Sequence, residues 1–173
     1  INKYQFNSID IEKNRGKGNA ISVGTKYAVE HGKNWIVTMD GDLQHPPELI
    51  PKFDDDGKLE IKLGWRKNRE TMPLFRKFSN ILTSLLLSIR SNTLIKDSQC
   101  GYRGFPAETY LKCNNREPGF HMESEFLIKA CILGITINHI EIPTIYNESK
   151  SSMNYVPDLI KFISLWIKSF LWT

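Results

Sequence analysis

The sequence contains no uninterrupted apolar run near the ~18 residues that a membrane-spanning helix needs. Its start shows no secretory leader. Cysteine is scarce: Cys100, Cys113 and Cys131 are odd in number and form no C-x-x-C pair. That argues against a disulfide framework or a zinc site, and it suits a reducing compartment. There is no internal repeat, low-complexity tract or dividing linker. The net charge of +4 is too small to argue for nucleic acid. It suits a protein that meets phosphates or an anionic membrane surface. "RGKGNA" near the start is not a Walker loop, because the G-x-x-x-x-G-K-[ST] spacing is not met.

What is present is the composition of a folded domain. Of 173 residues, 40% are hydrophobic and 24% charged, enough for one unit with a core. The first residue is Ile, so the chain is expected to be a fragment. Residues 20–30 have helical character and "HGK" reads as a stop. "NWIVTMD" (34–40) is a short apolar run bounded by turn signals, hence a buried strand. "PPELIPKF" predicts a short proline-opened helix, and "LEIKLG" a strand. Leu74, Phe78, Ile81, Leu82, Leu85 and Ile89 recur at helical spacing across residues 73–90. "QCGYRGF" reads as extended, "MESEFLIKACILG" as a helix ending at Gly134, and "ITINHIEIP" as a strand. Alternating strands and helices favour an α/β domain, whose ligands bind beyond the carboxyl ends of strands.

"TMDGDLQHPPE" sits at such an end, with Asp40 and Asp42 separated by Gly41. Two adjacent carboxylates suit Mg²⁺ or Mn²⁺, with a substrate diphosphate supplying further oxygens. The plainer alternative is a solvated turn or a helix-capping aspartate. An EF-hand fails, because His45 and Pro51 fall where Gly and Glu are needed. An aspartyl-phosphate phosphatase is a weaker competitor, because Gln44 stands where Thr or Val is usual.

"DGDLQHPPE" resembles the metal-binding motif of family 2 glycosyltransferases of the GT-A fold, and most of all the polyprenyl-phosphate sugar synthases. "NRGKGNAISVG", "DSQCGYRGF", "GFHMESEFLIKACILG" and "EIPTIYNESKSSMN" match that group in order. The resemblance implies a Rossmann-like nucleotide-diphospho-sugar transferase fold and an inverting transfer. A hexose would move from a UDP- or GDP-linked donor to a polyprenyl or dolichyl phosphate on the cytoplasmic membrane face. It implies that Asp40 and Asp42 hold Mg²⁺ or Mn²⁺. Gln44 and His45 would lie near the donor, and Lys17 and Gly18 near its nucleotide. Arg66 and Arg103 are expected to grip the acceptor phosphate, among a basic set that includes Lys67, Arg69, Arg76 and Lys77, and Asp97 to lie near the acceptor. Arginine suits such bidentate grips. Of Glu123 and Glu125, Glu125 is favoured for the cleft. Cys100 reads as a packed residue.

The family's opening V-P-x-Y-N-E and D-D-x-S strands do not occur here. The chain is therefore expected to lack the amino-terminal βαβ portion, leaving a sheet edge bare. Residues 1–155 are read as a partial catalytic domain. Residues 156–173, "VPDLIKFISLWIKSFLWT", are read as an amphipathic interfacial helix, with packing on the core as the alternative. A processive polysaccharide synthase is disfavoured, because Q-x-x-R-W is absent. The competing function is a non-catalytic remnant that binds metal or membrane without turnover.

Overall fold

The computed structural model describes residues 7–68, 72–117, 119, 121–145 and 155–172. Arg69 and the polar segment 148–154 lie outside the described residues. Helix α1 (Lys17–Glu30) begins after Gly16, whose φ of 86° suits a residue without Cβ. The apolar run 34–40 contributes strand β1 (Trp35–Thr38). The proline-rich stretch forms a 3-10 helix, Pro47–Phe53. Pro51 inside it lacks the amide that an α-helix would bond to Pro47, so a regular α-helix does not run through the segment. Strand β2 (Glu60–Arg66), helix α2 (Leu74–Ser91) and strand β3 (Arg103–Pro106) follow. Helices α3 (Ala107–Cys113) and α4 (His121–Ile132), strand β4 (Thr136–Ile142) and helix α5 (Tyr155–Ser169) complete the order.

The four strands lie in the order β1-β3-β2-β4. Strand β3 runs antiparallel to both neighbours, and β2 and β4 are parallel from Glu60↔Thr136 to Arg66↔Ile142. The sheet is thus mixed. Helix α4 is buried nearly all round, from Met122 to Ile128, and so occupies the centre of the helical layer. Its Phe126 packs edge-on against Phe105 at 5.0 Å, tying the helix to β3. A second cluster of Phe53, Cys100, Tyr102 and Ile142 lies under the carboxyl end of β1. Tyr102 stacks between Phe53 (4.1 Å) and His45 (5.1 Å) there.

Helix α2 forms where its apolar spacing predicts, with its faces reversed from those of an ordinary amphipathic helix. Leu74, Phe78, Ile81, Leu85 and Ile89 are exposed, while Ser79, Asn80, Thr83, Ser84 and Leu87 are buried. The buried polar side chains hold the segment that leads to β3. Asn80 Nδ2 donates to Asp97 Oδ1 at 2.6 Å, and the Ser98 amide donates to Ser84 Oγ at 2.9 Å. The Ile95 amide donates to Ser88 Oγ at 2.9 Å. Helix α5 places Phe162, Leu165 and Ser169 against the core and leaves its other faces in solvent.

Candidate active site

Strand β1 ends at Thr38, whose Oγ1 donates to the Gly101 carbonyl at 2.9 Å. The chain then turns through residues 40–45, and the turn closes on itself. The Asp40 amide donates to His45 Nδ1 at 3.0 Å, and the Gln44 amide donates to Asp42 Oδ1 at 3.1 Å. Between them Leu43 adopts φ 64° and is 79% exposed. A left-handed conformation in a residue with a Cβ costs about 1–2 kcal/mol and marks a turn held by its surroundings.

The centre of the site is an alternating charge cluster. Lys17 Nζ lies 2.5 Å from Asp40 Oδ1 and 2.8 Å from Glu123 Oε1. Burial pulls the Lys17 ammonium's pKa down. The Glu123 and Asp40 carboxylates outweigh it, and the net shift is upward, so Lys17 is charged at neutral pH. Three elements meet here: the start of α1, the end of β1 and the first turn of α4. Gly101 makes the meeting possible. A Cβ there would stand 2.5 Å from Asp40 Oδ2 and 2.6 Å from Lys17 Nζ. No sequence signal beyond its place between Cys100 and Tyr102 singled it out.

His45 is buried, and burial pushes its pKa down. Asp40 and Asp42 partly oppose this, while Arg66 and Lys17 reinforce it. A neutral ring with an unprotonated Nδ1 is the acceptor that the Asp40 amide requires. The 3.9 Å approach of His45 Nδ1 to Asp40 Oδ2 is therefore a contact of a neutral ring, not an ion pair. His45 shapes the acidic turn from behind.

Asp97 and Arg66 form a separate buried pair. Arg66 Nε and Nη2 donate to Asp97 Oδ2 and Oδ1 at 2.8 and 2.9 Å, and the Arg66 amide adds a bond of 3.2 Å to Oδ2. Asp97 is completely buried. The structure thus ties Arg66 by a bidentate grip to a carboxylate of its own chain. Arg103 also departs from expectation. Its guanidinium is buried and donates to the carbonyls of Cys100 (2.8 Å), Ser98 (2.9 Å) and Glu123 (3.0 Å). It is a clamp between the 97–101 segment and α4.

One further expectation is corrected. Glu125 turns away from the cleft: it pairs with Lys129 at 2.6 Å and accepts the Arg116 and Glu117 amides at 2.8 Å each. Glu123, two residues earlier and so on another helix face, is the one that reaches Lys17. Gly18 lies close against α4, where a Cβ would stand 3.0 Å from Met122 Cβ. Cys100 is packed as expected, its thiol pushed up to about 12 by burial.

The acidic turn suits a hard divalent ion. Among the described residues no group of three or more His, Cys, Asp and Glu side chains converges as a complete cage. Two carboxylates leave most positions to water and ligand oxygens, which is how Mg²⁺ and Mn²⁺ are held beside phosphates. The space beside both Asp40 oxygens exists only because residue 101 has no side chain.

The sequence model for glycosyl transferase family 2 matches residues 1–99. An uncharacterized protein of Methanocaldococcus jannaschii is 33% identical over 95% of this chain and 77% of its own length. The UDP-N-acetylglucosamine–dolichyl-phosphate N-acetylglucosaminyltransferase of Methanococcus voltae is 34% identical, over 82% of this chain and 60% of its own. Among solved structures, glucosyl-3-phosphoglycerate synthase from Mycobacterium tuberculosis in its UDP complex superposes with a TM-score of 0.63 at 13% identity. The match covers 92% of this chain and 56% of that one. The same enzyme with Mn²⁺, UDP-glucose and glycerol 3-phosphate gives a TM-score of 0.56 at 15% identity, over 93% and 56% of the two chains. The chain thus spans 56% to 77% of the lengths of these proteins. By the family match, the relatives and the shared α/β architecture of GT-A type, the chain belongs to glycosyl transferase family 2.

Proposed function

We propose that the domain transfers a hexose, with inversion, from a UDP- or GDP-linked donor to a polyprenyl or dolichyl phosphate. The observation that carries this reading is the Lys17–Asp40–Glu123 cluster beneath the acidic turn at the carboxyl end of β1. The Methanococcus relative, named for transfer of N-acetylglucosamine to dolichyl phosphate, supports the acceptor class. The Mn²⁺ and UDP-glucose complex of the solved neighbour supports a nucleotide sugar and a divalent ion.

In this reading Asp40 and Asp42 hold Mg²⁺ or Mn²⁺. The ion, when bound, neutralises charge that builds on the departing nucleotide diphosphate. Lys17 lies against Asp40 and adds positive charge where the diphosphate lies. Gln44, on the same turn, donates to the sugar or a phosphate oxygen. His45 holds the turn through the Asp40 amide. The Asp97–Arg66 pair and the Arg103 clamp position the 97–101 segment that brings Gly101 against Asp40. The acceptor phosphate is already anionic at neutral pH, so the site needs no strong general base for it.

No helix among the described residues is long and apolar enough to cross a membrane. We place the domain at the periphery of the cytoplasmic membrane face, where such acceptors present their phosphates. The test is transfer of radiolabelled hexose from UDP- or GDP-sugars to a short polyprenyl phosphate with Mn²⁺. Metal-dependent product in the parent and its loss in Asp42→Ala support the reading. No transfer by the parent, or transfer unchanged in Asp42→Ala, overturns it.

A further inference from the structure

Both arginines expected to grip the acceptor phosphate are engaged within the chain: Arg66 holds Asp97, and Arg103 clamps three carbonyls. A phosphate needs cations that are not already committed to the protein's own acids. Such cations meet beside the site. A pocket of about 510 Å³ opens between the start of α1, the 117–121 segment and α5, and Arg15, Lys161 and Lys168 line it. All three are exposed, and none is paired with an acid among the described residues.

The pocket adjoins the charge cluster on two elements. Gly16, in its wall, directly precedes Lys17. His121, also in its wall, stands two residues before Glu123 on α4. Lys17 and Glu123 are themselves in contact at 2.8 Å. On α5, Lys161, Ser164 and Lys168 fall within about 60° of one another at 100° per residue, so they form one stripe of donors. Leu165, on the same side of the helix, is buried and gives the stripe an apolar floor. Lys161 and Lys168 are two turns, roughly 10 Å, apart along the axis, a span that two long side chains close around one tetrahedral anion. Arg15 enters from a different element and supplies the planar fork that suits phosphate oxygens.

Two carboxylates limit what the pocket accepts. Asp158 lies 3.9 Å from His121 Nε2, and Glu117 lies on the segment before α4. Burial, aided by Lys161, lowers the His121 pKa against the pull of Asp158 and Glu117, so the ring is neutral at pH 7. Three cations against two acids leave one positive charge in excess. An apolar ligand would desolvate all five charged groups without pairing them. An extended polyanion would meet both acids, and a cation would meet the larger opposing charge. One compact anion with several acceptor oxygens fits the balance.

We propose that Arg15, Lys161 and Lys168 bind the phosphate of a phosphomonoester in this pocket, and that this phosphomonoester is the acceptor. The proposal rests on the glycosyl-transfer reading above for the ligand's role, and not for its binding. In the transfer, a phosphate oxygen forms the new bond to the anomeric carbon. The bond from that carbon to the nucleotide diphosphate breaks, and the diphosphate leaves with the electron pair. A prenyl phosphate and a small soluble phosphomonoester share the recognised group, and the experiment separates them.

The test is isothermal titration calorimetry of the full chain, without donor or metal, with geranyl phosphate, geraniol, glycerol 3-phosphate and inorganic phosphate. Geranyl phosphate is expected to bind about tenfold or more tightly than geraniol, and inorganic phosphate to compete with it. Lys161→Gln with Lys168→Gln, and Arg15→Gln separately, are each expected to weaken geranyl phosphate by about tenfold or more, with geraniol binding and circular dichroism unchanged. Lys112→Gln removes an exposed lysine of α3 and is expected to leave binding as it is. In transfer assays the pocket variants are expected to raise the acceptor KM about tenfold while kcat and the donor KM hold. Tighter binding of glycerol 3-phosphate than of geranyl phosphate, lost in the same variants, supports the pocket and makes its ligand a soluble phosphomonoester. No phosphate bound by the parent, geranyl phosphate binding unchanged in the pocket variants, or an equal loss in Lys112→Gln overturns the proposal. Binding lost in the pocket variants, with no transfer by the parent to any phosphate, overturns the glycosyl-transfer reading and leaves the pocket standing. Transfer by the parent with an acceptor KM unmoved in those variants does the reverse.

Discussion

Lys17 and Asp40 stand 23 residues apart in the chain and 2.5 Å apart in space, ammonium to carboxylate. Lys17 reaches at the same time to Glu123 at 2.8 Å. One cation thereby joins the amino end of α1, the carboxyl end of β1 and the first turn of α4. The site and the packing of three elements share this one point.

Replacing that cation should destabilise the fold as well as the site. Lys17→Met leaves Glu123, only 8% exposed in its side chain, without its partner. Because Lys17 is itself one-quarter exposed, screening lowers the cost to about 1–3 kcal/mol. Urea unfolding at pH 7 measures it. The folded-state pKa of Lys17 lies above its ordinary 10.5, so the pair's contribution is complete below that value and is lost as pH rises beyond it. The parent and Lys17→Met should converge in stability at high alkaline pH.

Gly101→Ala tests the close approach rather than the charge. The new Cβ would meet Asp40 Oδ2 at 2.5 Å, so the carboxylate or the segment must move. Mn²⁺ affinity is expected to fall by about tenfold or more while the fold persists, since a displacement of this kind spoils a site before it spoils a core. A Mn²⁺ titration followed by electron paramagnetic resonance reads the change, and an unchanged affinity contradicts the placement of the ion.

The Asp97 carboxylate is fully buried, and Arg66 meets it with two side-chain bonds. Arg66→Met should cost about 3–5 kcal/mol, because it strands a buried charge. Arg66→Lys should recover only part of this, since an ammonium does not reproduce the fork. Chemical denaturation of both variants gives the comparison. Equal stability of parent and Arg66→Met would show that the pair contributes nothing.

Acid should weaken the protein through its histidines. Burial, aided by Lys96, pushes His139 down to about 4, and its Nε2 accepts the Lys96 amide at 3.2 Å. His45 is shifted the same way by burial. A depressed histidine binds its proton more readily in the unfolded chain. Stability is therefore complete above about 6.5 and falls as pH drops towards 4. For the half-buried His139 the loss is about 1–2 kcal/mol once solvent screening is allowed for. Denaturation midpoints between pH 7 and 4 should fall less steeply in His139→Gln than in the parent.

Much of this was legible in the residues. The apolar run before Asp40, the proline opening at Pro47, and the alternation of 136–142 are local patterns, and each became the expected element within a few residues. Helix α3 was not read, because seven residues after a proline carry too short a pattern to show a period. The family was legible because its motifs are contiguous. The partners of Arg66 and Arg103 were not, because they lie on other elements: Asp97 comes 31 residues after Arg66, and the Glu123 carbonyl 20 after Arg103.

The sequence by itself determined the periods, the turn chemistry and the pairing of two carboxylates around one glycine, since these depend only on neighbours along the chain. Tertiary structure alone decided which glutamate reaches Lys17, which arginines turn inward, and that the apolar side of α2 faces out. A helical period says that two faces differ in polarity. Which of them is buried depends on what the rest of the chain brings against it, and here that is the hydrogen-bonding segment around Asp97 and Ser98.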